Sequence, residues 1–391
     1  MYKNLSVAER KDLITRSRCF AEISLPNLRH NLNEVKRFVR PGTKICGVVK
    51  ADAYGHGPLE IARALAEAGV RYLAVSCLGE ALELKEAGIP QTLFILGPNL
   101  PEAAPILQEF GLRQALTSEA EALAYSRYLD PDLPDLKFHL KLDTGMSRHG
   151  FRCINEAQEK ASLAAIARVA QLPKIKLEGV FTHFATASDD GNALYDEQIA
   201  CFQRTVAALS AQGQKFELIH CANSASILVK PELDYNLVRA GIILYGGRDE
   251  DYFRAMTDLK PVMTLKARLS ACYELEAGDH VSYGATYTAE RRMRIGVVEC
   301  GYADGLLRNL SGKAVFSLHG QAIQQIGRIC MDRCMVDLSN APQAQAGEYV
   351  TIFGGQGSDF VDAAEQAARA GTISYELFSL VSKRVPRIYI D

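Results

Sequence analysis

The chain has no surplus of positive charge: 44 Lys and Arg stand against 46 Asp and Glu, for a formal net charge of -2. That balance argues against a nucleic-acid surface, because neutralising many phosphates takes a local excess of Lys and Arg. No apolar window approaches the roughly 20 residues that a membrane-spanning helix needs. Residues 1–18 are charged throughout and lack the apolar centre of a secretory signal. Internal repeats and low-complexity segments are missing as well. Metal-ligating clusters are scarce. Of the 10 cysteines, Cys46, Cys77, Cys221 and Cys300 lie in apolar strand-like runs, where Cys behaves as a small hydrophobe. Cys330 and Cys334 are the only close pair, and no second pair or nearby His completes a zinc set. These absences predict reduced thiols in the cytoplasm, no bound metal, and neither nucleic acid nor membrane as a partner.

What is present is ordinary for a globular chain: 391 residues, 48% hydrophobic and 23% charged, too long for one small core and suited to two domains. Between about residues 20 and 258, short apolar runs alternate with amphipathic segments. The strand candidates are 45–50, 72–77, 93–96, 114–116, 138–142, 179–183, 218–221 and 238–245. About eight β/α units in about 240 residues match a TIM barrel in number and length. From about residue 260 the pattern becomes short strands (263–273, 280–283, 293–299, 314–318, 335–338, 349–353) separated by Gly and polar turns. Helical segments there are confined to 362–369 and 373–382. The expected architecture is an α/β (β/α)8 barrel over 18–258 followed by a mainly β domain over 259–391, with 1–17 joined to it.

The ends of the barrel strands carry the reactive residue types. Lys50 closes the run Val48-Val49-Lys50-Ala51-Asp52-Ala53-Tyr54-Gly55-His56-Gly57. At a barrel's carboxyl-terminal rim such a lysine is placed to form a Schiff base with a carbonyl cofactor; the competing reading is a strand-edge lysine pointing into water. Later strand ends bring Lys141 to Arg148, then Thr182-His183, then His220-Cys221-Ala222-Asn223-Ser224, and finally Arg239-Ala240-Gly241-Ile242. Asn, Ser and Gly-flanked backbone at the last two ends suit an anionic phosphate. Taken singly, His183 also reads as a core histidine, and Asn223-Ser224 as a helix cap. A lysine at strand one with a phosphate at strands seven and eight describes pyridoxal phosphate.

Seven strings in order resemble bacterial alanine racemases: Val-Val-Lys-Ala-Asp-Ala-Tyr-Gly-His-Gly, Lys-Leu-Asp-Thr-Gly-Met, Thr-His-Phe-Ala-Thr-Ala, His-Cys-Ala-Asn-Ser, Ser-Tyr-Gly-Ala-Thr-Tyr, Gly-Tyr-Ala-Asp-Gly and Arg-Val-Pro-Arg, spread over about residues 20 to 388. The resemblance implies a pyridoxal-phosphate barrel, a carboxyl-terminal β domain and a head-to-tail homodimer with active sites shared between chains. It implies interconversion of L- and D-alanine by two bases, supplying D-alanine for peptidoglycan. Lys50 would be the Schiff-base lysine and the base facing the D-enantiomer. Tyr283, from the partner chain, would be the base facing the L-enantiomer; by pattern alone it also reads as a packed strand aromatic. Both are weak bases at neutral pH unless positive neighbours or burial of the amine lower their pKa values.

Further roles follow from the same resemblance. Arg239 would face the pyridine nitrogen as a donor that keeps the ring from becoming a full electron sink. Related pyridoxal-phosphate decarboxylases present an acid there. Tyr54, Asn223, Ser224, the backbone of Gly241 and Ile242, and Tyr375 would hold the cofactor, with His183 near its ring. Arg148 would pair with the substrate carboxylate, helped by the backbone of Met331 from the partner. Lys141 matches a lysine open to carbamylation, whose charge would steady Arg148. Asp332, Tyr302 and Arg328 resemble entrance-channel residues. Tyr375 implies a tight methyl pocket, although one methylene discriminates by only about 1–3 kcal/mol. Ser147 stands where a glycine is common in the family, which implies a less pliable loop before Arg148. Two other readings remain beside alanine racemase: a racemase of broader amino-acid range, and a non-catalytic pyridoxal-phosphate carrier, against which Tyr283 and the β domain weigh.

Overall fold

The computed structural model describes residues 18–189 and 191–391, together with residues 6, 13, 15 and 16. The rest of the 1–17 segment that was joined to the β domain lies outside the described residues. By contact the chain forms two units. One comprises Leu32–Ala53 and Pro58–Leu244; the other comprises the described residues up to Asn31, Tyr54–Gly57 and Tyr245–Asp391.

The first unit is an α/β barrel of TIM type. Its eight main strands run in the order Leu237–Ala240, Lys44–Val48, Tyr72–Val75, Thr92–Ile95, Arg113–Leu116, Leu136–Asp143, Ile175–Phe181, Leu218–His220, every ladder parallel. At the remaining gap the Arg239 N–H donates to the Ala222 carbonyl at 3.0 Å, just beyond the last strand. Most of these strands end in unbroken buried runs, as parallel strands covered on both faces do. Helices follow the strands, and their starts are legible: Ser118, Asn155 and Asn192 each cap a helix by accepting a backbone N–H. The run 238–245 does not continue as one strand. It stops at Ala240, and Ile242–Tyr245 is a 3-10 turn.

The second unit is mainly antiparallel β. Met263–Leu275 is long enough to pair by its first half with Tyr349–Phe353 and by its second half with Met293–Val298, across a bulge between Leu269 and Ala271. Met293–Val298 then joins Cys334–Asp337, Gln321–Ile326 and Val315–Leu318, which returns to Tyr349–Phe353. Six strands thus close into a ring around Leu265, Leu269, Val298, Phe316 and Val336, all buried. Two further strands extend the sheet. Cys19–Ser24 pairs antiparallel with Met263 to Ala267 and parallel with Arg387–Ile390. The stretch after residue 18, read from the sequence with the barrel, is therefore built into the β sheet by partners more than 200 residues away. Gln321–Ile326 carries glutamine at three of its six positions and does not alternate apolar and polar residues, which is why it did not read as a strand. Among the described residues no helix is long and apolar enough to cross a membrane.

Candidate active site

Lys50 follows the strand Lys44–Val48 and opens a turn of unusual backbone. Ala51, Asp52, Ala53 and Tyr54 have φ of 53, 58, 51 and 54 degrees, one turn of left-handed helix without glycine. Each such residue costs about 1–2 kcal/mol, and local strain of this kind persists where the surroundings over-determine it. Glu80 does part of that: its carboxylate accepts from the Ala51 N–H at 2.7 Å and from the Ser76 N–H at 2.6 Å. Nothing in the sequence singled Glu80 out, since an acid in a helix's first turn is commonplace.

Around Lys50 the barrel gathers positive charge. Burial and then the Arg148 guanidinium lower the Lys50 pKa, with Glu80 opposing them. Lys141, on the strand Leu136–Asp143, is pushed down to about 8 by burial, Arg148 and Arg239, against Asp143. His183 is held well below its usual value by burial and by Arg239, Arg148, Lys141 and Lys50, so it is neutral. These mutual effects bring Lys50, Lys141, Arg148, His183 and Arg239 to one end of the barrel, as expected from their strand ends. No carboxylate among the described residues pairs with Arg148. A partly buried concentration of cations, opposed only by Glu80 at Lys50 and Asp143 at Lys141, suits an anionic ligand.

Arg239 is fixed in detail. Its Nη1 donates to His220 Nδ1 at 2.9 Å and to the His220 carbonyl at 3.1 Å. Its Nη2 donates to the carbonyls of Thr182 at 2.8 Å and Cys221 at 3.0 Å, with His183 Nδ1 at 3.3 Å. Burial lowers its pKa to about 10, which leaves it cationic at neutral pH. Both terminal nitrogens are committed, while among the described residues Nε–H has no acceptor. A donor that the protein leaves without an acceptor beside this cluster of cations fits a ligand nitrogen or oxygen.

The phosphate candidates behave differently from one another. Ser224 Oγ accepts from the N–H groups of Gly241 at 3.0 Å and Ile243 at 3.5 Å, which orients its own hydrogen outward as a donor. Asn223 is the helix cap that the sequence offered as its alternative: its Oδ1 accepts from Ser226 N at 3.0 Å and Ser226 Oγ at 3.1 Å. That oxygen is therefore taken by the helix rather than offered to a cofactor. The Gly241 N–H is likewise engaged by Ser224, which leaves Ile242 N–H at the head of its turn.

Asp143 Oδ1 accepts from the N–H groups of Gly145 at 3.2 Å and Ser147 at 2.9 Å, holding the loop that carries Arg148. Ser147 sits at φ 54, in the left-handed region that favours glycine, and is exposed. Ser147→Gly is expected to move the denaturation midpoint of the protein upward by about 0.5–1 kcal/mol of stability. A midpoint at or below that of the parent protein would contradict the strain.

The remaining candidates lie in the β-rich unit. The Tyr54 ring packs on Tyr245 and Tyr375, with centroids 4.9 and 5.9 Å away, and burial raises the pKa of both the Tyr54 and Tyr375 phenols. Tyr283 begins a 3-10 turn, 71% exposed, and Met331 is 53% exposed. The loop bearing Met331 is clamped: its carbonyl accepts from Ala303 N–H at 3.0 Å, and Arg384 reaches Asp332 at 2.8 Å. Tyr302 N–H donates to the Cys330 carbonyl at 3.0 Å, and the Arg328 carbonyl accepts from Ser282 Oγ at 2.6 Å, beside Tyr283.

Known proteins resemble this chain along nearly its whole length. Residues 23–249 match the family model described as alanine racemase, N-terminal domain, and residues 262–389 the one described as alanine racemase, C-terminal domain. The alanine racemase of Desulfovibrio desulfuricans is 42% identical over 95% of this chain and 98% of its own. That of Carboxydothermus hydrogenoformans is 41% identical over 95% and 99%. Among solved structures, the alanine racemase of Clostridium difficile 630 superposes with a TM-score of 0.88 at 36% identity, covering 95% of each chain. That of Bacillus anthracis, solved with bound L-Ala-P, superposes at 0.89 and 33% identity, covering 96% of this chain and 95% of the other. With both domain models matched in order and relatives this similar over their full length, the chain belongs to the alanine racemase family.

Proposed function

We propose that the protein is a pyridoxal-phosphate-dependent isomerase that interconverts L- and D-alanine with two bases, working in the cytoplasm to supply D-alanine for peptidoglycan. The observation that carries this reading is the anion-poor cluster of Lys50, Lys141, Arg148 and Arg239 at one end of the barrel, with the Arg239 Nε–H lacking a protein acceptor. Its donor set matches the cofactor: an amine to anchor a carbonyl, a guanidinium hydrogen for a ring nitrogen, and the Ser224 hydroxyl with the Ile242 N–H for a phosphate. Bound there, pyridoxal phosphate supplies an electron-withdrawing ring that acidifies the α-hydrogen of an attached amino acid.

The chain's own residues do the rest. Lys50, its basicity lowered by burial and by Arg148, moves a proton at the α-carbon on the face of D-alanine. Arg148 holds the substrate carboxylate. Arg239 stays a donor and gives the ring nitrogen no proton, so charge is returned to the α-carbon and proton return is favoured over loss of the carboxyl group. Tyr283 serves the opposite face from the partner chain, together with Met331; their exposure in the single chain supports an arrangement in which a second copy covers them. Tyr54 and Tyr375 are assigned by resemblance to the cofactor phosphate, and Tyr302 and Asp332 to the substrate entrance.

Lys141 is assigned as a carbamate. Only the neutral amine takes up carbon dioxide, and a pKa near 8 makes that form accessible near neutrality. Enzyme equilibrated with carbon-13 bicarbonate should show a carbamate signal that grows as the pH rises through about 8; a free amine throughout would reject the assignment. The function itself is tested by measuring racemisation across a panel of amino acids. Alanine is expected to be turned over best, with serine slower. Activity on other amino acids but not on alanine would overturn the reading.

A further inference from the structure

Three barrel side chains that this chemistry does not use are joined to Arg239 in a line. His220 Nε2 lies 2.8 Å from His139 Nδ1, and His139 Nε2 lies 3.3 Å from Glu178 Oε2. All three residues are buried, His220 completely. Phe94 and Phe181 wall the imidazoles: Phe181 stacks on His220 with centroids 5.0 Å apart, and Phe94 lies 4.6 Å from His139. Gly179 makes the room, since a Cβ there would stand 2.6 Å from His139 Nδ1. Glu178 is clamped by Arg113 at 3.0 and 3.2 Å and by Lys137 at 2.8 Å.

The direction of every bond in this line is determined by its two ends. A guanidinium only donates, so His220 Nδ1 accepts from Arg239 and the His220 proton sits on Nε2. That N–H donates to His139 Nδ1, which places the His139 proton on Nε2, where it donates to Glu178. Burial opposes ionisation of Glu178, but its bonds to His139, Arg113 and Lys137 prevail and keep it a carboxylate, which only accepts. Both histidines have pKa values lowered by burial, in keeping with neutral rings.

We propose that Glu178 and His139 are positioning residues for Arg239: the one-way chain Arg239→His220→His139→Glu178 fixes which guanidinium hydrogens the protein takes, and leaves Nε–H to the ligand. Without an obligate acceptor at the far end, His139 is free to reverse its tautomer. His220 would then carry its proton on Nδ1, and two donors would face each other across 2.9 Å. The guanidinium would have to turn. This inference rests on the reading of Arg239 as the ring-nitrogen partner, but its first test does not.

The test is made on holoenzyme labelled with nitrogen-15 histidine, whose eight rings report their tautomers through their nitrogen shifts. His139→Phe and His220→Phe assign the two signals. Both rings are expected to be neutral with the proton on Nε2. A cationic ring, or a proton on Nδ1 of either, would overturn the chain. In Glu178→Gln, which keeps the shape and loses the obligate acceptor, the His220 Nδ1 signal should shift. Its kcat should fall about tenfold, the scale of outer-shell losses elsewhere, with KM within about twofold. If that variant is merely less stable, with His220 shifts and kcat unmoved, Glu178 only braces the barrel and the proposal fails. A holoenzyme with both tautomers as stated but no racemisation would uphold the chain and refute the function instead.

Discussion

Lys50→Ala should leave a folded protein that no longer racemises alanine, with activity down by at least about 10³-fold, as expected when a positioned base is lost. The loss is twofold in origin. The amine is assigned here both to anchor the cofactor at this end of the barrel and to act as the base on the D-alanine face. Burial and Arg148 lower its pKa, which is what a lysine needs in order to accept a proton near neutrality. Folding should be spared, because Lys50 is only half-buried and the bonds that hold its turn come from the Ala51 N–H to Glu80 and the Ala53 N–H to the Val49 carbonyl. Conversion of L- to D-alanine, followed with the visible absorbance of bound cofactor, checks this. Activity within tenfold of the parent would remove Lys50 from both roles.

Tyr283→Phe should separate those two roles. The variant keeps the lysine and every barrel residue of the cofactor site, so the cofactor's visible absorbance should be unchanged. Racemisation should fall by about 10²–10⁴-fold, the usual contribution of one acid–base group. In deuterated water, exchange at the α-carbon of D-alanine should persist, because Lys50 still serves that face, while conversion between enantiomers all but stops. Unchanged racemisation would refute the two-base assignment. Loss of both exchange and conversion would place Tyr283 in binding rather than proton transfer. The phenol is 71% exposed in the single chain, so the substitution removes no buried contact there.

Much of the site was readable because it is local. Apolar runs ending in Lys50, Lys141, His183, His220 and Arg239 announce parallel strands, and a barrel delivers the ends of such strands to one rim. The composition argued against a nucleic-acid surface, and among the described residues no helix is long and apolar enough to cross a membrane. Asn223 shows how one residue can carry two meanings: the pattern that suits a phosphate site also marks a helix cap, and in the structure its Oδ1 caps the helix through Ser226. Ser147 is similar. The sequence records a serine in place of a common glycine, but φ 54 shows that the backbone kept the glycine's conformation and bears the strain.

What the sequence by itself determined was the order of strands and helices, the change to β at about residue 260, and the residue types at each strand end, all of which follow from periodicity over a dozen residues. Tertiary structure alone decided where residues 19–24 belong, that Glu80 holds the turn after Lys50, that no carboxylate among the described residues answers Arg148, and that His220, His139 and Glu178 line up behind Arg239. The reason is physical. The site contacts join residues 19 to 81 positions apart, and residues 19–24 find partners more than 200 positions away, so bonding partners and pKa values depend on what folding places beside each residue.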